Sequence, residues 1–216
     1  TLRGYDPPQV DYTSGKNVSN LAKEVIQKIR SAKKPLLLVG GGVRISNMDE
    51  KILELVQQTG LPAVTTWGAA DIFTMNTAMY LGNLGNSGSP AGVKSVQACD
   101  LLLCLGTRLT PKIIIDEKKF AAQAEVIAVD IDLAELEEGI TSPKIKINAD
   151  LKEFIPALIE NVGENNFVAL DWGKKILDLK NENVLPTTRN KSGTFVDPYK
   201  FVRELFQEAP DNTIFI

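Results

Sequence analysis

The sequence predicts an α/β fold: a doubly wound, mainly parallel sheet of six strands with helices on both faces. Three apolar runs are the strongest evidence for it, and they begin the segments LLLVGGGVR (36–44), LLLCLGTR (101–108) and VIAVDID (126–132). A strand that is covered on both faces is hydrophobic throughout, and the groups at its carboxyl end face a crevice. Strand and helix patterns alternate along the chain, and right-handed crossovers between such strands produce a parallel sheet.

The predicted strands and helices follow one another in a regular order. Six segments have the pattern of strands, at residues 36–39, 62–67, 80–81, 101–105, 125–129 and 144–147. Apolar residues recur at helical spacing in four further segments, at residues 17–32, 47–59, 91–99 and 151–161. Pro35 opens the first strand, and Gly60 ends the second helix because glycine readily adopts the left-handed conformation that such an end requires.

The chain divides into three parts. Residues 1–16 contain Pro7-Pro8 and turn residues without periodicity, so we expect an arm or linker. Residues 17–162 are expected to form a central domain. Residues 163–216 are expected to hold a linker and the start of another domain. In this part, residues 163–167 and 186–193 are polar stretches. Helices are predicted at 170–179 and 197–208, and a strand at 213–216. Asp197 caps the second of these helices and Pro198 takes its first position.

Composition excludes several classes of function. The 216 residues carry a net charge of −3 without a basic patch, so nucleic acid is not an expected partner. The chain contains no histidine, which removes the commonest general base and metal ligand. No apolar stretch is long enough to span a membrane, and no charged-then-apolar leader marks a signal peptide. Cys99 and Cys104 lie beside or inside an apolar run, which favours buried free thiols in a cytoplasmic protein.

Glycines and charged residues at the strand ends are the candidate binding groups. Gly40, Gly41 and Gly42 can bring backbone N–H groups and a helix N-terminus close to a diphosphate. A tight strand-to-helix turn explains them equally well, because Ile45 stands where the G-x-G-x-x-G pattern has its third glycine. Arg108 can form two parallel hydrogen bonds to a phosphate, but pairing with a nearby carboxylate such as Asp116 is the simpler interpretation.

Three further groups have competing interpretations. Asp130 can accept hydrogen bonds from ribose hydroxyls, whereas Asp132 is better placed to cap a short helix at 133–138. The glycine-rich segment 82–92 can surround a flat or phosphorylated ligand, and Trp67 can stack on a ring or simply pack. The acidic cluster Glu135, Glu137 and Glu138 is expected on a solvated helix face. No nucleophile has a histidine partner, so we predict neither catalytic nor metal-binding residues in this chain.

Residues 20–162 carry a family resemblance in several successive segments: KPLLLVGGGVR, GLPAVTTW, YLGNLGNSGSPAGVKSVQACDLLLCLGTRL, FAAQAEVIAVDIDLAEL and INADLKEFIPAL. This succession resembles the central domain of thiamine-diphosphate-dependent enzymes, in particular of the acetolactate synthase (acetohydroxyacid synthase) large-subunit family. The resemblance implies a Rossmann-like, DHS-type nucleotide-binding fold. It also implies that a pyrimidine-binding domain precedes this segment and a diphosphate-binding domain follows it.

The family's chemistry is expected outside this chain. Its activating glutamate belongs to the preceding domain, and its Gly-Asp-Gly motif for diphosphate and magnesium does not occur in these residues. The resemblance implies that the fragment is inactive. The parent enzyme would decarboxylate a 2-oxo acid and transfer the acyl group with thiamine diphosphate and Mg²⁺, as a cytoplasmic homo-oligomer whose missing N- and C-terminal domains are its partners here.

The same resemblance implies FAD, or ADP, in the central domain. The matching cofactor-binding positions are Gly40, Gly42, Thr66, Trp67, Leu84, Gly85, Asn86, Ser87, Gly106, Thr107, Arg108, Asp130, Ile131 and Asp150. Two segments depart from the family pattern: residues 85–88 read GNSG instead of GMHG, and residues 106–112 read GTRLTPK instead of GARFDDR. Two other interpretations stay open: a stand-alone adenine-nucleotide or flavin-binding module of electron-transfer-flavoprotein or sirtuin type, and a structural spacer with an empty crevice.

Overall fold

The sheet has six parallel strands in the order β3-β2-β1-β4-β5-β6, which confirms the predicted fold class. The computed structural model describes residues 16–86, 88–137, 142–163, 170–181 and 195–215. The strands are β1 (Pro35–Val39), β2 (Ala63–Thr65), β3 (Tyr80–Asn83), β4 (Leu101–Leu105), β5 (Glu125–Asp130) and β6 (Ile145–Asn148). Strand order therefore reverses between β1 and β4, as in doubly wound nucleotide-binding folds.

Helices cover both faces of this sheet. They are α1 (Lys16–Ser31), α2 (Gly41–Ile45), α3 (Asp49–Thr59), α4 (Pro90–Ala98), α5 (Leu133–Glu137), α6 (Leu151–Val162), α7 (Leu170–Asn181) and α8 (Pro198–Glu208). Successive strand residues point to opposite faces, so Leu37 and Val39 enter one core while Leu36 and Leu38 enter the other. Helices α1, α3 and α6 pack on the first face, and α4 and α7 on the second. No helix within the described ranges is long and apolar enough to cross a membrane.

Helix α7 belongs to the packed body, although its sequence lies in the predicted linker. Trp172, Ile176 and Leu179 are buried in the second core, at the spacing of one helix face. The Trp172 Nε1–H group donates to the Pro35 carbonyl at the start of β1, over 2.8 Å. The short helix predicted at 170–179 is thus confirmed, and it covers the sheet.

The structure corrects some local predictions. The chain forms α2 immediately after Gly40, and the helix predicted from residue 47 begins only at Asp49, because Asn47 has a positive φ of 55° between the two helices. Trp67 does not extend β2 but starts a 3-10 turn (Trp67–Ala69). The strand predicted at 213–216 is wrong over residues 213–215, because none of the described strands lies beside them to supply ladder hydrogen bonds and Ile214 is 84% exposed. Gly60 adopts the predicted left-handed conformation.

The outer predicted segments are only partly described. Residues 1–15, 164–169, 182–194 and 216 lie outside the described residues, as do residues 138–141. The predicted helix at 197–208 is confirmed as α8, where the Asp197 side chain accepts hydrogen bonds from the Tyr199 and Lys200 amides. The apolar residues of α8 are exposed, and none of its residues is buried.

Candidate functional site

A crevice of about 640 Å³ opens at the carboxyl ends of β1, β4 and β5. It lies where strand order reverses, which is where ligands bind in open α/β sheets. Eight of the fourteen predicted cofactor residues line it: Gly42, Thr66, Gly106, Thr107, Arg108, Asp130, Ile131 and Asp150. Strands from both halves of the sheet therefore bring distant parts of the chain to one cavity.

Close packing of two backbone loops explains the glycines at the crevice. A Cβ atom on Gly42 would lie 2.7 Å from Gly106 Cα, and one on Gly40 would overlap the Gly106 carbonyl. The Gly42 N–H donates to Gly106 O and the Gly40 N–H to Leu105 O, each over 2.9 Å. Gly106 itself has φ +58°. These glycines allow the loop after β1 to contact the loop after β4, and two of their amides are already hydrogen-bonded within the protein.

Arg108 pairs across the crevice with Glu135 of α5. Its Nε atom lies 2.9 Å from Glu135 Oε1, which confirms the expected pairing with a carboxylate. The partner named as an example, Asp116, is wrong, because Asp116 pairs with Lys119 at 3.1 Å. Glu135 was expected on a solvated face, but it lines the crevice because α5 follows β5 directly at its carboxyl end. Glu137 is exposed, as expected, and Glu138 lies outside the described residues.

The three aspartates at the crevice have different surroundings. Asp132 Oδ1 accepts from the Ala134 amide and caps α5, as predicted, while Asp150 Oδ1 accepts from the Lys152 amide and caps α6. Asp130 Oδ1 accepts from the Asp132 amide over 3.0 Å. Burial raises the pKa of Asp130, and the charge of Asp132 raises it further. Asp130 thus presents a partly desolvated carboxyl group at the end of β5.

The glycine-rich segment lies at a second cavity of about 290 Å³. Leu84 and Gly85 line this cavity, and Ile113 lines both cavities. A Cβ atom on Gly85 would lie 3.6 Å from Trp67 Nε1, and the Trp67 side chain is 65% exposed. Gly40, Trp67 and Asn86 line neither cavity, and Ser87 lies outside the described residues. The predicted cofactor positions therefore form a main group at the crevice and a second group beyond Ile113.

Sequence reasoning missed several residues that line the crevice. They are Ile45, Ser46, Thr110, Ile113, Glu135, Leu151 and Lys152, together with Asp132, which was assigned only to capping; Gly41, named with the glycine loop, also lines the crevice. Lys152 lies two residues after Asp150, which caps α6, so its position near the carboxyl end of β6 can be inferred once the strand order is known. The Thr107 Oγ1 atom is buried without a hydrogen-bond partner in the described part of the chain. Because water does not reach this atom, a ligand contacts it only if the loop shifts.

The two cysteines are buried free thiols, as predicted. Burial raises the pKa of Cys99 to about 12 and raises that of Cys104 as well. Such thiols are poor nucleophiles, because the thiolate is the reactive form. Within the described ranges, no group of three or more histidine, cysteine, aspartate or glutamate residues is arranged to hold a metal ion.

Comparison with known proteins agrees with this architecture. The family model described as the thiamine pyrophosphate enzyme central domain matches residues 22–158. The chain belongs to this family. The resemblance seen in the sequence is thereby confirmed.

The relatives of this central domain are longer proteins. An acetolactate synthase from Mycobacterium avium is 31% identical, over 100% of this chain and 34% of the relative. The acetolactate synthase large subunit of Porphyra purpurea is 31% identical, over 95% of this chain and 36% of the relative. A probable acetolactate synthase large subunit from Methanococcus aeolicus is 28% identical, over 99% of this chain and 36% of the relative. The chain spans about a third of the length of these relatives.

Proposed function

We propose that this domain binds an adenine nucleotide, either ADP or the ADP part of FAD, in the crevice at the carboxyl ends of β1, β4 and β5. The observation that carries the proposal is the position of Asp130, at the carboxyl end of β5, one strand beyond the switch point, where it lines a cavity of about 640 Å³. A carboxylate at the carboxyl end of a strand in a doubly wound sheet can accept hydrogen bonds from ribose hydroxyls. The volume lies within the usual range of small-ligand pockets, about 300–1,000 Å³.

The remaining lining fits the other parts of such a ligand. Ile45, Ile131 and Leu151 supply apolar surface for a base, and Arg108 and Lys152 supply positive charge for phosphates. FAD is longer than ADP, and its flavin half would continue past Ile113 towards Leu84 and Gly85 at the second cavity. When bound, FAD would supply a flavin ring; the proposal assigns to this chain only the binding of the nucleotide.

Titration of the purified chain with ADP and with FAD tests this proposal. Asp130→Asn is expected to weaken both ligands about tenfold, because a neutral amide accepts hydroxyl protons less strongly than a carboxylate. Val93→Trp fills the second cavity and is expected to weaken FAD while leaving ADP unchanged, if the flavin half lies there. If neither ligand binds the unaltered chain, the domain is a spacer with an empty crevice and the proposal is wrong.

For the full-length protein, we infer a thiamine-diphosphate-dependent enzyme that decarboxylates a 2-oxo acid and transfers the acyl group. The relatives' names support this inference, and so does their length, about three times that of this chain. Residues 17–162, with α7 packed against them, would form the nucleotide-binding domain; residues 1–16 would be an arm from the preceding domain, and residues 163–216 would lead from α7 into the following one. The full-length protein would be a homo-oligomer.

In this proposal the 216 residues are inactive alone, and thiamine diphosphate and Mg²⁺ bind residues outside them. The support is that the sequence contains no Gly-Asp-Gly. Calorimetry with thiamine diphosphate and Mg²⁺ is expected to give no binding heat with this chain, whereas the full-length protein binds. Micromolar binding by the 216 residues alone would contradict the proposal.

A further inference from the structure

The crevice has more acidic than basic side chains in its lining: Asp130, Asp132, Glu135 and Asp150 against Arg108 and Lys152. Carboxylates repel phosphates, so a nucleotide needs a cation held at its phosphates. The proposed ligand begins at Asp130 after β5 and continues towards β3, so it crosses the end of β4 first. Arg108 lies on the loop after β4 and is therefore the cation on this path.

The ion pair with Glu135 uses one end of the Arg108 guanidinium. It joins Arg108 Nε to Glu135 Oε1, which lie 2.9 Å apart. The two Nη atoms at the far end carry four of the five N–H donors of the group and match the geometry of a phosphate. The charge of Arg108 also lowers the pKa of Asp130, against the larger effect of burial, so the guanidinium lies near the proposed ribose position.

Glu135 is attached to a helix that is fixed against the sheet. Helix α5 begins directly after β5, its first turn is capped by Asp132 through the Ala134 amide, and Leu136 is buried in the second core. The Glu135 side chain is consequently 28% exposed and lines the crevice, whereas Glu137 is exposed. The first turn of a helix favours an acidic residue whichever way its side chain points, so the helix alone does not require the contact across the crevice.

The stability of the fold does not account for the ion pair either. The Arg108 side chain is 69% exposed, and ion pairs at such positions contribute little to stability. A long arginine side chain on a loop has many rotamers, and a ligand that must order it loses affinity. A partner that holds the side chain before the ligand arrives removes part of that cost.

We propose that Glu135 is a positioning residue, which holds Arg108 through Nε so that its two Nη atoms face the phosphates of the nucleotide whose ribose lies at Asp130. This inference rests on the proposed function and deepens it. Helix α5 then contributes to phosphate recognition without supplying a donor of its own. The affinity for ADP, and not that for adenosine, should depend on an acceptor at position 135.

Paired titrations with ADP and adenosine test the inference on the full 216-residue chain. Glu135→Ala is expected to weaken ADP about fivefold, because the ligand must then order Arg108, and to leave adenosine unchanged. Glu135→Gln keeps an acceptor oxygen for the Nε–H group and should bind ADP within about twofold of the unaltered chain. Glu137→Ala removes a carboxylate from an exposed residue of the same helix that does not line the crevice, and it should change neither affinity.

A double substitution shows whether Glu135 acts through Arg108. Once Arg108→Gln has removed the guanidinium, adding Glu135→Ala should not weaken ADP further, because the group that Glu135 holds is gone. A further loss of ADP affinity of about fivefold in the double variant would show that Glu135 acts by another route, and the inference would be wrong.

The remaining outcomes separate the two proposals. If Glu135→Ala binds ADP as tightly as the unaltered chain, or more tightly, the positioning role is wrong while the nucleotide site stands. If Glu135→Ala weakens ADP and adenosine alike, or if Glu135→Gln and Glu135→Ala weaken ADP equally, Glu135 does not position a phosphate ligand and the inference is also wrong. If neither compound binds the unaltered chain, the proposed function fails and the inference fails with it.

Discussion

The charged side chains at the amino end of the sheet have partners within the protein, whereas two of those at the carboxyl end have no ion pair within the described ranges. At the amino end, the Asp100 carboxylate accepts from the Lys33 and Lys34 amides over 2.9 and 2.8 Å. Glu125 pairs with Lys28 at 2.7 Å and with Lys144 at 3.6 Å. At the carboxyl end, the described residues leave Asp130 and Lys152 without an ion pair, and Trp67 and Ile45 are exposed.

This difference separates residues that hold the fold together from residues that are free to bind. Partners at the amino end join strand, helix and loop, so substitutions there are expected to change stability and to leave ligand affinity alone. Substitutions of the side chains without an ion pair at the carboxyl end are expected to change ligand affinity and to leave stability largely unchanged. The contact between the glycine loop and the loop after β4 is the exception, because it is structural although it lies at the carboxyl end.

The largest change in stability is expected at the contact between the glycine loop and the loop after β4. Gly106→Ala should lower the free energy of unfolding by about 3 kcal/mol, since a Cβ atom at φ +58° is strained and would lie 2.8 Å from Gly42 Cα. The Leu151 Cδ1 atom would lie even nearer, at 2.7 Å, and belongs to a side chain that can move, but the Gly42 atoms at 2.8 and 3.0 Å belong to the backbone and cannot move away in this manner. Urea unfolding followed by circular dichroism measures the change.

Gly173→Ala is the matched control for that substitution. Gly173 lies inside α7, and an added Cβ atom would have nothing within 4 Å. Alanine there should raise stability by up to about 1 kcal/mol, because glycine weakens helix interiors. Equal effects of the two substitutions would show that the packing of the two loops is not what requires Gly106.

The two tryptophans give the next largest contrast. Trp172→Phe removes the buried indole donor of the Pro35 carbonyl and should lower the free energy of unfolding by about 2 kcal/mol. Trp67→Phe, at a side chain that is 65% exposed, should change it by less than about 0.5 kcal/mol. Chemical denaturation of both variants measures the difference. A large loss from Trp67→Phe alone would reverse the proposed roles of the two ends.

The smallest expected effect is a difference in pH dependence between Glu125 and Asp130. The hydrogen bond from Lys28 lowers the pKa of Glu125, so its contribution is present above the unfolded value of 4.5 and is lost as pH falls through the folded pKa. Burial raises the pKa of Asp130 above 3.8, so the folded state holds the extra proton and stability falls as pH rises through that window.

Two neutral variants separate these contributions. Glu125→Gln should cost less than about 1 kcal/mol at neutral pH and flatten the acid limb of the stability curve. Asp130→Asn should raise stability at neutral pH, because it removes a buried charge and keeps an acceptor for the Asp132 amide. Unfolding midpoints measured from pH 3 to pH 8 test both signs. A loss of stability from Asp130→Asn at pH 7 would contradict this account of its environment.

The sequence predicts the sheet well because its central strands are continuous apolar runs. The runs at residues 36–39 and 101–105 match β1 and β4 closely, since only strands buried on both faces tolerate such composition. Helix α2 was missed because a five-residue helix that starts with two glycines has no readable periodicity. The docking of α7 was missed because a helix pattern does not reveal which surface the helix covers.

The candidate site was predicted only where its residues end strands. Asp130 was found in this way, since any strand end in such a fold is a candidate. The pairing of Arg108 with Glu135 joins residues 27 positions apart on two different elements, and only the order of β4 and β5 brings them together. Lys152 was missed because a single lysine after a helix cap has no distinguishing pattern in the sequence.

Chemical-shift mapping of the backbone amides during titration with ADP tests the central claim most directly. We expect saturable shifts at Gly106, Asp130–Asp132 and Asp150–Lys152 at the carboxyl end, with Asp100 and Glu125 at the amino end unchanged. Saturable shifts confined to the amino end, or no shifts at millimolar ADP, would contradict it.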